Sequence, residues 1–194
     1  MESLDNLKKF YSNKKIFITG HTGFKGAWLS IILSYLNAKI YGYSLAPKKN
    51  SLFIKSGIKK KLISNSYADI RNIKDLKKKI NLYKPEIVFH LAAQPLVIDS
   101  FINPIETFNT NILGTANLLE CLRNIKSVKS VIIVTTAGFA FSATSANALL
   151  NCRTTEFCAN EKLTIKSERM ILYISMVLII YIVLMIESLI KFQK

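Results

Sequence analysis

The segment KIFITGHTGFKGAWL (15–29) constrains the fold more than any other part of this chain. Lys15 to Gly20 is a short β-branched and aromatic run closed by a glycine, the pattern of a buried strand. Gly20, Gly23 and Gly26 then follow at a spacing of three. Phe24 opens an apolar stretch to Asn37 with helical spacing, and Trp28, Ile31, Ile32, Tyr35 and Leu36 share its predicted core face.

The alternation continues downstream. KIYGYS (39–44) predicts a second strand, and Ser66 to Asp69 a short third strand after a Lys-rich loop. Asn72 caps a predicted helix to about Leu82, Pro85 ends the connection, and EIVFH (86–90) predicts a fourth strand. Pro104 stands near the start of a long predicted helix to about Asn124, with Ile112, Leu118, Leu119 and Leu122 as its apolar set. VKSVIIVT (128–135) predicts a fifth strand. These strands are continuous apolar runs, which require cover on both faces. Residues 10–136 are therefore expected to form an α/β domain with a doubly wound parallel sheet of Rossmann type. Its expected strand order is 3-2-1-4-5, with the glycine loop at the carboxyl edge.

A glycine loop between a strand and a helix suits a pyrophosphate. Missing side chains let the backbone approach the phosphates, and the helix amides and macrodipole favour their charge. Lys25 adds a cation at the same place, although a solvated lysine is an equally good reading. The acidic residue that would hold the ribose hydroxyls at the end of the second strand is missing. Tyr43-Ser44-Leu45 stands there, with Lys48 and Lys49 following, so the sequence does not decide between NAD and its phosphorylated form. Asp69 and Ile70 are the next candidates, the carboxylate accepting from an adenine amino group and Ile70 covering the ring; a helix-capping aspartate is the alternative.

Composition removes other classes. The chain has 194 residues, room for one core of about 150 residues and a tail. The formal charge of +15 comes mostly from lysines in short runs, without an Arg-rich stripe or interleaved aromatics. These are read as solvated faces, and no nucleic-acid surface is expected. The three Cys (121, 152, 158) and the two His (21, 90) show no metal-ligand spacing, so no metal centre and no disulfide framework is expected. MESLDNLKKF at the start lacks the apolar core of a secretory signal, and a cytoplasmic location follows as the expectation.

GHTGFKGAWL (20–29), Asp69-Ile70, PEIVFHLAAQPLV (85–97) and PIETFNTNILGTANLLE (104–120) resemble the extended short-chain dehydrogenase/reductases. Within these they are most similar to the CDP-glucose 4,6-dehydratases, over roughly residues 10–136. The resemblance implies a lyase of nucleotide-sugar and O-antigen metabolism that uses NAD to convert CDP-glucose to CDP-4-keto-6-deoxyglucose. Hydride leaves the sugar C4, water is eliminated across C5 and C6, and hydride returns to C6. It also implies a homo-oligomer. By this match Gly20, Gly23, Phe24, Lys25 and Gly26 surround the pyrophosphate. Asp69 and Ile70 hold the adenine end, Leu91, Ala92 and Ala93 flank the nicotinamide ribose, and Thr110 and Asn111 lie on the long helix behind it.

The match fails at its end. The family continues from the fifth strand into Thr-Asp-Lys and later a Tyr-x-x-x-Lys helix. Thr136 is the one candidate catalytic residue kept here, while Ala137 and Gly138 replace the Asp and Lys. Tyr11/Lys15 and Tyr35/Lys39 have the right spacing but lie on the wrong side of the fold. The expectation is an inactive, truncated dehydratase whose residues 137–194 form an aberrant tail, as a shift of reading frame near Thr136 would produce. Alternatives are a non-catalytic NAD-binding remnant and a membrane-associated fragment. Met170 to Ile186 is an uncharged run of 17 residues. A long apolar helix is expected over 160–194, either associating with a membrane or docking on the fifth strand's exposed edge.

Overall fold

The structure, a computed structural model, describes residues 2–134 and 170–173. In chain order the elements are α1 (Glu2–Tyr11), β1 (Lys15–Thr19), α2 (Phe24–Tyr35), β2 (Lys39–Ser44) and α3 (Leu52–Lys55). A 3₁₀ turn (Ile58–Lys61), β3 (Ser64–Tyr67), α4 (Ile73–Tyr83), β4 (Ile87–His90) and α5 (Val97–Ile102) follow. Then come α6 (Pro104–Phe108), a π-helical turn (Asn109–Leu113), α7 (Gly114–Leu122), β5 (Ser130–Ile133) and β6 (Met170–Tyr173).

The sheet is parallel, in the order β3-β2-β1-β4-β5-β6. The first five strands stand in the expected order. Successive side chains along a strand point to opposite faces, so each strand feeds two cores. Phe17, Val88 and Val131 pack with Leu76 and Ile80 of α4 and with Leu118 and Leu122 of α7. Ile16, Ile18, Ile87, Phe89 and Ile132 pack on the other face with Leu33 of α2. This is the doubly wound arrangement.

Three expectations need correction. The buried positions of α2 are Gly26, Ala27, Ser30 and Leu33; of the expected set, Leu36 is buried and Ile31 packs beside Phe53, whereas Tyr35 is exposed. Small residues face inward because α2 starts in close contact with the glycine loop; Ser30 Oγ returns its proton to the Gly26 carbonyl at 2.7 Å. The long helix from Pro104 is not uniform, since Asn109–Leu113 widens into a π turn between α6 and α7. The tail helix fails where it can be compared, because Met170–Tyr173 is a strand parallel to β5. An apolar run of this length carries no period that separates strand from helix, and pairing with an open edge decides it. The rest of the 160–194 helix, Thr136, Ala137, Gly138 and most of the 137–194 segment lie outside the described residues. Among the described residues no helix is long and apolar enough to cross a membrane.

Candidate functional site

The strand order reverses between β1 and β4, whose connections leave in opposite directions. A crevice opens there at the carboxyl edge, where doubly wound sheets bind their ligands. The loop after β1 and the loop after β4 meet in it. Gly20 has φ of +73°, a left-handed conformation, and its amide donates to the Tyr43 carbonyl of β2 at 2.9 Å. A Cβ on Gly20 would stand 2.6 Å from the Leu91 carbonyl carbon and 2.7 Å from the Ala92 nitrogen. The two loops touch backbone to backbone, and only glycine permits it.

Gly23 is the N-cap of α2 and supplies no side-chain cap to its first turn. The first amides of the helix have no acceptor within it, as at any helix start. A Cβ on Gly23 would meet only the Gly20 carbonyl oxygen, at 3.3 Å. Phe24 is exposed beside this opening, and Lys25 is half-buried, with burial lowering its pKa. Thr22 closes the loop from below. Its hydroxyl donates to the Leu45 carbonyl at 2.9 Å and accepts from Ser44 Oγ at 2.6 Å. His21 is fully buried and donates from Nε2 to Asn65 Oδ1 at 2.6 Å, tying the loop to β3.

The loop after β4 is fixed by a polar chain. Thr115 Oγ1 donates to the Asn111 carbonyl at 2.6 Å. Its single proton is thereby used, so His90 Nε2, 2.8 Å away, is the donor to Thr115. His90 Nδ1 is then an acceptor, and Thr19 Oγ1 donates to it at 2.6 Å. Thr19 Oγ1 in turn accepts from the amides of Leu91 and Ala92, each at 3.2 Å. Burial pushes the His90 pKa down to about 4, which keeps the ring neutral and this tautomer in place. Two residues further on, Asn111 clamps Gln94. Its Oδ1 accepts from the Gln94 amide at 2.7 Å and its Nδ2 donates to the Gln94 carbonyl at 3.1 Å.

Asn111 sits in the π turn, as does Thr110, and π turns gather at functional sites because they re-aim side chains. Leu91, Ala92 and Ala93 line the crevice, half-buried. Asp69 and Ile70 follow β3. The Asp69 carboxylate is half-buried and bonded to Arg71. Ile70 is 5% exposed and packs on α7, where a Cβ at Gly114 would meet its Cγ2 at 2.6 Å. The structure thus brings Gly20, Gly23, Gly26, Leu91, Ala92 and Ala93 together around one crevice. The roles of Thr19, His90, Gln94, Arg71 and Thr115 carried no sequence signal, because each acts through a partner at least 13 residues away or through the local turn.

The family described as GDP-mannose 4,6 dehydratase matches residues 17–145. The chain belongs to that family. Among relatives, this dehydratase-family chain is similar to the CDP-glucose 4,6-dehydratase of Salmonella typhimurium, 46% identical over 129 residues, covering 66% of this chain and 36% of that enzyme. It is also similar to the UDP-glucose 4-epimerase of Mycoplasma genitalium, 30% identical over 112 residues, 58% of this chain and 33% of that one. Its match thus spans about a third of the length of these relatives. Among solved structures, the Thermus thermophilus UDP-glucose 4-epimerase in complex with NAD superposes with a TM-score of 0.55 at 26% identity, over 62% of this chain and 37% of that one. The resemblance read from the motifs is borne out.

Proposed function

We propose that this chain holds NAD across the β1–β4 crevice and is built on the plan of a CDP-glucose 4,6-dehydratase. The carrying observation is the contact at Gly20, where a Cβ would stand 2.6 Å from Leu91. It joins a pyrophosphate loop to a nicotinamide-side loop in one crevice. The uncapped start of α2 fits a diphosphate, and the glycines leave it room. Similarity to the Salmonella typhimurium enzyme supports the CDP-glucose reading, and the NAD-bound Thermus thermophilus epimerase supports NAD over NADP.

The chemistry that NAD supplies when bound is reversible storage of one hydride. The chain's own residues bind and orient. Gly20, Gly23, Gly26 and the first amides of α2 hold the pyrophosphate, with Lys25 as its counter-charge. Leu91, Ala92 and Ala93 set the depth of the nicotinamide end, and Thr110 stands on the helix behind. Asp69 faces the adenosine half. A base is needed to take the sugar hydroxyl proton. The 194-residue sequence carries no Asp-Lys after Thr136 and no Tyr-x-x-x-Lys downstream of it, so we assign binding without turnover.

The test is equilibrium dialysis of the full chain against NAD and NADP, followed by an assay for CDP-4-keto-6-deoxyglucose. Saturable NAD binding that Gly23→Val removes, with no product formed, is the expected result. Product from the purified chain overturns the assignment of inactivity, and absence of NAD binding overturns the whole reading.

A further inference from the structure

Arg71 directs three of its N–H groups at one carboxylate. Its backbone amide donates to Asp69 Oδ1 at 2.9 Å. Nε lies 3.0 Å from both Oδ1 and Oδ2, and Nη2 lies 2.6 Å from Oδ2. A carboxylate has about four acceptor sites, so three shared protons leave about one free. The guanidinium is held from the other side as well, with Nη1 2.8 Å from each carboxylate oxygen of Glu106 on α6. The Arg71 carbonyl accepts from Asn117 Nδ2 of α7 at 3.3 Å. Its main chain and side chain are therefore both tied to the helix that carries the π turn.

Stability does not account for this arrangement. The side chains of Asp69, Arg71 and Glu106 are 30%, 38% and 53% exposed, and ion pairs at such exposure contribute little. Orientation is what a bidentate guanidinium provides and a lysine does not.

We propose that Arg71 is a positioning residue for base recognition. It fixes the plane of the Asp69 carboxylate so that the remaining acceptor site meets the exocyclic amino group of an adenine, and Glu106 fixes Arg71. This rests on the reading of Asp69 as the adenine contact in an NAD site. The Arg71 hydrogen bonds also hold the Asp69 carboxyl below the usual carboxylate range, so it is an acceptor at neutral pH. A carboxylate aimed at an amino group repels the oxo group that replaces it in hypoxanthine.

The experiment is calorimetric titration of the full chain with NAD and with nicotinamide hypoxanthine dinucleotide. The unaltered chain should prefer NAD by about tenfold, the value of one charge-assisted hydrogen bond. Arg71→Met should bring the ratio of the two dissociation constants to within about twofold of one, and Arg71→Lys should do the same because a point charge does not fix a plane. Glu106→Gln should give an intermediate ratio. Equal weakening of both ligands with the ratio intact makes Arg71 merely structural and overturns the proposal. If Arg71→Met fails to fold, an unchanged ratio in Glu106→Gln overturns it alone. Binding without base preference by the unaltered chain defeats only the role of Arg71, whereas no binding of either dinucleotide defeats the NAD reading and this inference with it.

Discussion

A Cβ on Gly26 would stand 2.1 Å from the carbonyl oxygen of Gly20. That oxygen also accepts the amide of Gly23 at 3.1 Å, so it has no freedom to retreat. Gly26→Ala should destabilise the fold by about 3 kcal/mol or more, since the clash is with backbone on both sides. Gly57 is the contrast. It has φ of +63° and nothing within 4 Å of an added Cβ. Gly57→Ala should cost only about 1 kcal/mol, from the left-handed backbone alone. Urea midpoints of the two variants separate steric from conformational cost.

His90 makes stability depend on pH. Burial lowers its folded pKa to about 4 from 6.5, so the unfolded chain binds more protons between those values. Stability from this group is fully present above pH 6.5 and is lost as pH falls toward 4, by about 3 kcal/mol in all. Asp69 and Glu86, held low by the hydrogen bonds of Arg71 and Lys14, stay ionised through the upper part of this window. Unfolding free energy should therefore fall between pH 6.5 and 5, and His90→Gln should flatten that slope. The slope that remains belongs to His21, whose pKa burial also lowers. An unchanged slope in His90→Gln contradicts this account.

The Asn111 clamp should govern the loop after β4. Asn111→Ala leaves the half-buried amide of Gln94 without its acceptor, at a cost of about 1 kcal/mol. Hydrogen exchange at the Gln94 amide should quicken selectively, while the amides within β4 keep their protection. On the proposed function, NAD affinity should fall with it, because the loop after β4 is no longer held.

Ile70 and Gly114 should behave as a coupled pair. Gly114→Ala pushes a methyl to 2.6 Å from Ile70 Cγ2 and should destabilise the chain by about 1–3 kcal/mol. Ile70→Val keeps that Cγ2 branch and should give no relief, whereas Ile70→Ala should recover part of the loss. Thermal denaturation of the double-variant cycle measures the coupling.

Capping offers a local test. Asn72 Oδ1 accepts the Asp75 amide at 3.2 Å and starts α4. Asn72→Ala should cost about 1 kcal/mol and fray the first turn, read as faster amide exchange at Asp75.

The sequence by itself determined the sheet, the order of its first five strands and the place of the glycine loop at its carboxyl edge. Apolar runs such as KIFIT and IVFH fit only a sheet covered on both faces, and glycines directly after the first strand mark where backbone must come close. Asn72 as a cap was legible too, because a cap bonds within its own turn. What the tertiary structure decided are relations across the chain. Trp28 and Tyr35 read as a core face, yet the loop beneath α2 admits only Gly26, Ala27 and Ser30. Met170–Tyr173 reads equally well as helix, and the open edge of β5 makes it a strand. His90 joins Thr19, 71 residues away, to Thr115, and Arg71 reaches Glu106 across 35 residues. Hydrogen bonds of this kind have no period and no fixed spacing. They exist only once packing has brought the groups within 3 Å of one another, and around His90 it also excludes the water that would otherwise satisfy them.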